Sequence, residues 1–129
     1  MKCQMMKLEQ TSQTGRLSDI YEFIRRHPVN ETWTKPNIIM VLEQAEEDNG
    51  IFYTEDEHRK IDGACLCINA GDWMHCSLMV SERAKDGLLA LARIYKTHYP
   101  NKPILSATRR GKEVTYQHCI AERIIKLYG

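Results

Sequence analysis

The sequence predicts a single α/β domain in which helices cover both faces of a mixed sheet. Two apolar runs of strand length, residues 61–68 and 73–80, are joined by turn residues at 69–72, which predicts a β-hairpin. Apolar residues at helical spacing follow, and a further apolar run occupies residues 104–108. Since parallel neighbours need a long crossover, we expect strands 73–80 and 104–108 to be parallel and adjacent.

Length and charge limit the classes of function. A chain of 129 residues is long enough for one domain with one sizeable core. Apolar residues make up 43% and charged residues 27%, which is ordinary for a globular protein. The net charge of +1 supplies no bulk field that would attract nucleic acid or an acidic membrane. We therefore expect neither nucleic acid nor a membrane as a partner.

Cysteine usage and the start of the chain indicate the compartment. No apolar run approaches the roughly 20 residues that span a bilayer, and residues 1–7 lack the long apolar segment of a secretory signal. The five cysteines are an odd number, which favours free thiols in a reducing compartment. These features predict a cytoplasmic protein.

The first elements are a strand, a loop and an amphipathic helix. Residues 1–8 are compatible with a strand, and residues 11–15 have the composition of a loop. The helix ends before Pro28, because the residue that precedes a proline is disfavoured in helical geometry. Its apolar stripe follows i, i+3, i+4, i+7 spacing and consists of Leu17, Ile20, Tyr21 and Ile24.

A second helix and a short strand come next. The helix begins near Thr34, tolerates Pro36 in its first turn and stops at Asn49-Gly50. Residues 51–54 then predict a strand, and residues 55–60 a solvated turn before the hairpin. The apolar stripe of this helix comprises Ile38, Val41, Leu42 and Ala45.

The second half of the chain predicts a helix, a strand, a helix and a strand. Ser81 is a suitable cap for a long helix, and residues 109–111 break the strand at 104–108. Residues 112 to about 120 predict a short helix and residues 122–128 a last strand, which gives the order β-α-α-β-β-β-α-β-α-β. The stripe of the long helix comprises Ala84, Leu88, Leu91 and Tyr95.

This order of elements resembles the GNAT acetyltransferase fold, and the resemblance covers nearly the whole chain. In that family the pyrophosphate of acetyl-CoA is held by the loop after the fourth strand and by the next helix N-terminus, where N–H groups favour an anion. The resemblance implies acetyl-CoA as cofactor. The residues that it assigns to the cofactor site are Val80, Arg83, Ala84, Lys85, Asp86, Gly87 and Leu88.

The proposed cofactor segment departs from the family pattern of Gln or Arg, two residues, Gly, one residue, and Gly or Ala. With Gly87 as the first glycine, Ala84 stands where Gln or Arg belongs and Leu89 where the small residue belongs. Glu82 and Asp86 would also repel a phosphate. The simpler interpretation is a plain helix start, whose acidic residues complement the dipole. We therefore expect weak or absent acetyl-CoA binding.

The resemblance also implies a tyrosine on the last helix that protonates the departing thiolate. Alignment of this segment places Gln117 at that position, between Tyr116 and His118. Either neighbour can act as the general acid if the alignment shifts by one residue and the group lies within hydrogen-bond reach. The alternatives are core packing for Tyr116 and a polar surface for His118.

Short chains of this kind are similar to accessory proteins of short-tailed bacteriophages, including head-assembly proteins and small internal virion proteins. Residues 104–129 carry this similarity. It implies a bacterial host cytoplasm and contacts with capsid or portal proteins, since a fold does not dictate its function. Two functions stay open: a head-assembly protein with a degenerate acetyl-CoA site, or an N-acetyltransferase acting on a protein or small amine.

Cysteines also cluster around the hairpin. Cys65 and Cys67 face the same side of one strand, and only one of His75 and Cys76 can join them, because these two point to opposite faces of the next strand. Four such ligands make a zinc site, but the spacing matches no zinc knuckle. We expect all five cysteines to be reduced, metal-free and packed as small apolar residues.

Two weaker patterns remain. Cys119 or Cys76 can act as a nucleophile only if a histidine lies beside it in space. The basic residues near the C-terminus lack interleaved aromatic side chains, which favours a solvated rim over a phosphate site. These basic residues are Arg109, Arg110, Lys112, Arg123 and Lys126.

Overall fold

The fold is a six-stranded mixed sheet with helices on both faces. The computed structural model describes residues 7–8, 16–27, 34–82, 84–109 and 112–129. The strands lie in chain order across the sheet. They are β1 (Lys7–Leu8), β2 (Ile51–Glu55), β3 (Ile61–Asn69), β4 (Met74–Ser81), β5 (Leu105–Arg109) and β6 (Lys112–Tyr116). The helices are α1 (Leu17–Arg26), α2 (Lys35–Glu47), α3 (Ala84–His98) and α4 (His118–Tyr128).

The predicted crossover is confirmed. β4 and β5 are parallel neighbours and pair from Met74 with Leu105 to Cys76 with Ala107. α3 makes the connection between them. The other neighbouring strands are antiparallel, so the sheet is mixed as predicted. Residues 1–6 of the predicted first strand lie outside the described residues.

The predicted order of the last two elements is wrong. Lys112–Tyr116 forms a strand that returns antiparallel beside β5, and the segment after it is helical. The half-buried residues of β6 alternate, which is the period of a strand. In α4, Ala121, Ile124 and Ile125 are the residues that pack inward, at i, i+3 and i+4. Within the described residues, the order is therefore β-α-α-β-β-β-α-β-β-α.

Two cores lie on opposite faces of the sheet. α1 and α2 cover one core, and the stripes predicted for these helices lie in or against it. α3 and α4 cover the other core, with Leu91 and Tyr95 buried as predicted. α2 begins next to Thr34 as predicted, and the Thr34 side chain caps the helix by accepting a hydrogen bond from the Asn37 N–H.

A β-bulge at Ser77 divides β4 between the two cores. Cys67 pairs with Cys76, whereas the preceding Leu66 pairs with Leu78, so Ser77 is the extra residue on β4. The bulge changes which face the later side chains occupy. Cys76 packs in the core under α3 and α4, but Leu78, two residues later, packs in the core under α1 and α2.

The end of α2 is locked to β3 through Gly50. Its N–H donates to the Ala45 carbonyl at 2.7 Å, and its carbonyl accepts from the Cys67 N–H at 2.8 Å. A Cβ atom at Gly50 would overlap the carbonyl oxygen of Cys67. Glycine is therefore required here for close approach of two backbones.

None of the helices in the described part of the chain combines the length and the apolar character that crossing a bilayer requires.

We expect Gly50→Ala to lower the free energy of unfolding by about 3 kcal/mol, which is at the upper end of the cost of overpacking a core. The cost is high because the added Cβ meets backbone atoms of Cys67, which cannot move aside as a side chain can. Gly71→Ala is the control. Gly71 has φ +96° and nothing within 4 Å of an added Cβ, so its cost should be only about 1 kcal/mol. Urea denaturation measures both, and equal losses would contradict the close-approach argument.

Candidate functional site

The parallel strands β4 and β5 pair over only three residues of each strand. Their pairing ends at Cys76 and Ala107, whereas β4 continues to Ser81. α3 begins at Ala84, so its N-terminus lies at the carboxyl end of β4. This is the place at which the resemblance to the GNAT fold implies a cofactor pyrophosphate. A helix N-terminus offers unpaired N–H groups to an anion.

Two of the cofactor residues that the structure describes, Val80 and Gly87, are buried. Val80 is buried in the core under α1 and α2. Gly87 is also buried, and a Cβ there would meet the Met79 methyl carbon at 3.7 Å and Ser81 Cβ at 3.9 Å. These are ordinary van der Waals distances, so close approach does not require glycine at this position. Gly87 faces β4 side chains and not an open cleft.

The remaining predicted cofactor residues are only partly described. Arg83 lies outside the described residues, as do the side chains of Ala84, Lys85 and Asp86. The backbone of residues 84–86 forms the first turn of α3.

Leu88 and Tyr116 are brought together by the fold. Both line an apolar cavity of about 10 Å³ between α3, α4 and the strands β5 and β6. This volume holds at most one water molecule and is far too small for the arm of a cofactor. Tyr116 is half-buried and packs against the core, as the packing alternative predicted.

His118 is held by one aromatic contact and by one hydrogen bond to the backbone. Its ring stacks on Tyr95 with centroids 4.0 Å apart and planes 17° apart. Its Nε2 lies 2.9 Å from the Lys102 carbonyl, which also accepts from the Tyr95 hydroxyl at 2.9 Å. Because a carbonyl only accepts, Nε2 carries the proton. The ring is therefore committed to positioning the loop at Lys102.

A polar cleft of about 350 Å³ lies where α1, the β2–β3 turn and the end of β4 meet. Its volume is in the range of small-molecule sites. Asp56 is committed to the turn, because the N–H of Lys60, followed by that of His58, holds the pKa of this carboxyl below its usual range. Besides one histidine, two basic and two acidic residues line the cleft, so their charges balance. The full lining is Phe23, Arg26, His27, Asp56, Lys60, Ile61 and Glu82.

Three cysteines form a compact group inside the core under α3 and α4. Cys65 Sγ lies 3.7 Å from Cys67 Sγ and 3.6 Å from Cys76 Sγ, and all three atoms lie within 4.8 Å of one another. All three residues are buried free thiols. As predicted, only one of the two β4 candidates joins the pair. It is Cys76, whereas His75 bonds the Ser106 hydroxyl at 2.7 Å.

The thiols differ in acidity because they share hydrogen bonds. Hydrogen bonds to Cys67 and Cys76, together with burial, raise the pKa of Cys65. Hydrogen bonds from Cys65 and Cys67 lower the pKa of Cys76. Burial raises the pKa of Tyr99, whose hydroxyl lies beside this group.

The weaker sequence patterns find little support. Cys119 is exposed, and its thiol donates to the side-chain amide of Gln117, which is not a base. Cys76 is buried among sulfurs on the opposite face of β4 from His75. The basic residues Lys112, Arg123 and Lys126 are exposed, as expected of a solvated rim. The side chains of Arg109 and Arg110 lie outside the described part.

Searches against protein-family models and against curated proteins found no match for this chain.

We expect Gly87→Ala to be neutral or to raise the free energy of unfolding by up to about 1 kcal/mol, because alanine is the better helix former and its Cβ has room. Chemical denaturation measures the change. A loss of several kcal/mol would show that the backbone at this position needs glycine, as a phosphate loop does.

The accessibility of the thiols provides a second test. Cys119 should react with a thiol reagent within minutes, whereas Cys65, Cys67 and Cys76 should react only when the core opens, because their sulfurs are buried. Peptide mass spectrometry after timed alkylation distinguishes the sites. Equal rates at Cys119 and Cys76 would contradict the packing described above.

Proposed function

We propose that this chain is a phage accessory protein of GNAT type that acts in head assembly through contacts with capsid or portal proteins, on a scaffold whose acetyl-CoA site has degenerated. The observation that carries the proposal is the packing of the described cofactor positions: Val80 and Gly87 are buried, and Leu88 is half-buried. Gly87 faces Met79 and Ser81, and Leu88 and Tyr116 share a cavity of only about 10 Å³. An arm of acetyl-CoA has no room between these residues.

Exposed apolar side chains on α4 support a role in protein contacts. Single exposed apolar residues are normal on any surface. On α4, however, Ile120 and Leu127 lie seven residues apart, and therefore on one side of the helix, and Tyr128 is adjacent. Arg123 is exposed between them. This apolar stripe with a basic neighbour has the composition of a protein-binding helix face.

The alternative function is acetyl-CoA-dependent transfer to a protein or small amine. Two observations favour it: β4 and β5 separate beyond Cys76 and Ala107, and the cleft of about 350 Å³ reaches Glu82 near the start of α3. In this case Tyr116 is the candidate acid. His118 is a poorer candidate, because its Nε2 proton is committed to the Lys102 carbonyl.

Calorimetric titration with acetyl-CoA separates the two functions. We expect no binding heat up to millimolar ligand and no acetyl transfer to a panel of amines. Micromolar binding that Tyr116→Phe leaves intact, with transfer that Tyr116→Phe slows at least tenfold, would establish the enzyme instead. Tyr116→Phe removes only the hydroxyl from a half-buried ring, so the fold is preserved.

The assembly role is tested by complementation in a phage that encodes this chain. Leu127 and Met40 are similarly exposed, at 69% and 63%, but lie on helices on opposite faces of the sheet. If α4 binds the partner, Leu127→Lys should reduce filled heads at least tenfold and lose co-sedimentation with capsids, whereas Met40→Lys should not. Filled heads at the normal yield without this chain would refute the role.

A further inference from the structure

Three thiols at metal-ligand spacing converge inside this protein from two adjacent strands. We propose that Cys65, Cys67 and Cys76 form a binding site for a single monovalent copper ion. The site is independent of the function proposed above. It departs from the expectation that the cysteines bind no metal. Their spacing matches no zinc knuckle, but the fold brings three of the sulfurs within 4.8 Å of one another.

The sulfur positions fit a three-coordinate ion. Sulfurs that bind at about 2.3 Å, the zinc–thiolate distance, lie about 4.0 Å apart in a trigonal plane and about 3.8 Å apart on a tetrahedron. The observed separations from Cys65 are 3.7 Å to Cys67 and 3.6 Å to Cys76, and the third is below 4.8 Å. Shifts of a few tenths of an ångström bring the three sulfurs around one ion.

The ligand set selects the ion. Within the described residues, no fourth histidine, cysteine or carboxylate joins this group. Structural zinc takes four ligands in most proteins, whereas soft thiolates bind monovalent copper. Three buried sulfurs in an apolar core therefore suit Cu(I) better than Zn(II), and they exclude the water that would complete a zinc site.

Metal binding by thiols is balanced by the release of their protons. When copper–sulfur bonds form, protons leave the thiols for solvent, and no electron is transferred. One thiolate with two thiols around Cu(I) is neutral. Each further proton released adds one buried negative charge, which is costly. We expect one or two protons released per ion and weaker binding at acid pH.

Tyr99 provides a second observation. Its hydroxyl is buried and has no hydrogen-bond partner among the described residues, although it lies beside Cys67. A buried donor without an acceptor costs about 1–3 kcal/mol. A Cys67 thiolate would accept from this hydroxyl, as second-shell groups do for metal ligands. Loss of the thiol proton on metal binding thus satisfies a donor that the metal-free protein leaves unpaired.

The test is an anaerobic titration of the full chain with Cu(I) against a chromophoric chelator, together with X-ray absorption of the loaded protein. We expect one ion per chain and a first shell of three sulfurs only. Cys76→Ala and Cys65→Ala should weaken binding at least 100-fold, whereas Cys119→Ser, at an exposed cysteine, should change it less than twofold. Tyr99→Phe should weaken it about tenfold at the same stoichiometry.

Several results would overturn the proposal. These are failure of the wild-type chain to compete with the chelator, nitrogen or oxygen in the first shell, loss of binding in Cys119→Ser, and stoichiometric zinc that Cu(I) does not displace. Circular dichroism checks that each variant is folded. If the core variants do not fold, the absorption spectrum of the wild-type protein decides the question, because it requires no substitution.

Discussion

The β-bulge at Ser77 is the constraint on which the other features of this protein depend. By inserting one residue into β4, it directs Cys76 into the core under α3 and α4 and Leu78 into the core under α1 and α2. Pairing of β4 with β5 ends at Cys76, immediately before the bulge. A bulge bends its strand and increases the twist, so one extra residue accounts for both the thiol group and the parting of the parallel strands.

The parting of the strands does not by itself create a cofactor site. The space at the end of β4 is occupied by Met79 and Ser81 packing against Gly87, and the space further along by Leu88 and Tyr116. An anion site needs N–H groups that reach solvent or ligand. Packing on this side of the sheet instead completes the apolar core. α3 begins beyond the carboxyl end of β4, and the surrounding side chains decide whether a ligand can reach its N–H groups.

Because thiols are small and weakly polar, Cys65, Cys67 and Cys76 can pack in the core under α3 and α4 and still offer three sulfur ligands. In the metal-free protein they pack like other apolar residues, next to Phe52 and Met74 in the same core. Their mutual hydrogen bonds pull the acidities of Cys65 and Cys76 in opposite directions. A group of three serines at these positions would need three further hydrogen-bond partners, so this core tolerates sulfur where it would not tolerate oxygen.

Patterns in the amino-acid sequence were enough to predict the class of fold, both α1 and α2 with their stripes, the hairpin, and the parallel pairing of β4 and β5. Each of these follows from hydrophobic periodicity or from the length of a connection, which are local properties. The last two elements were assigned wrongly because β6 is stabilised by pairing with β5, and because the inward residues of α4 are identified only by their contacts with α3. Tertiary structure likewise decided which of His75 and Cys76 joins the other thiols. It also decided that Arg26, Lys60 and Glu82 share a cleft, since these residues come from three distant segments and no sequence spacing relates them.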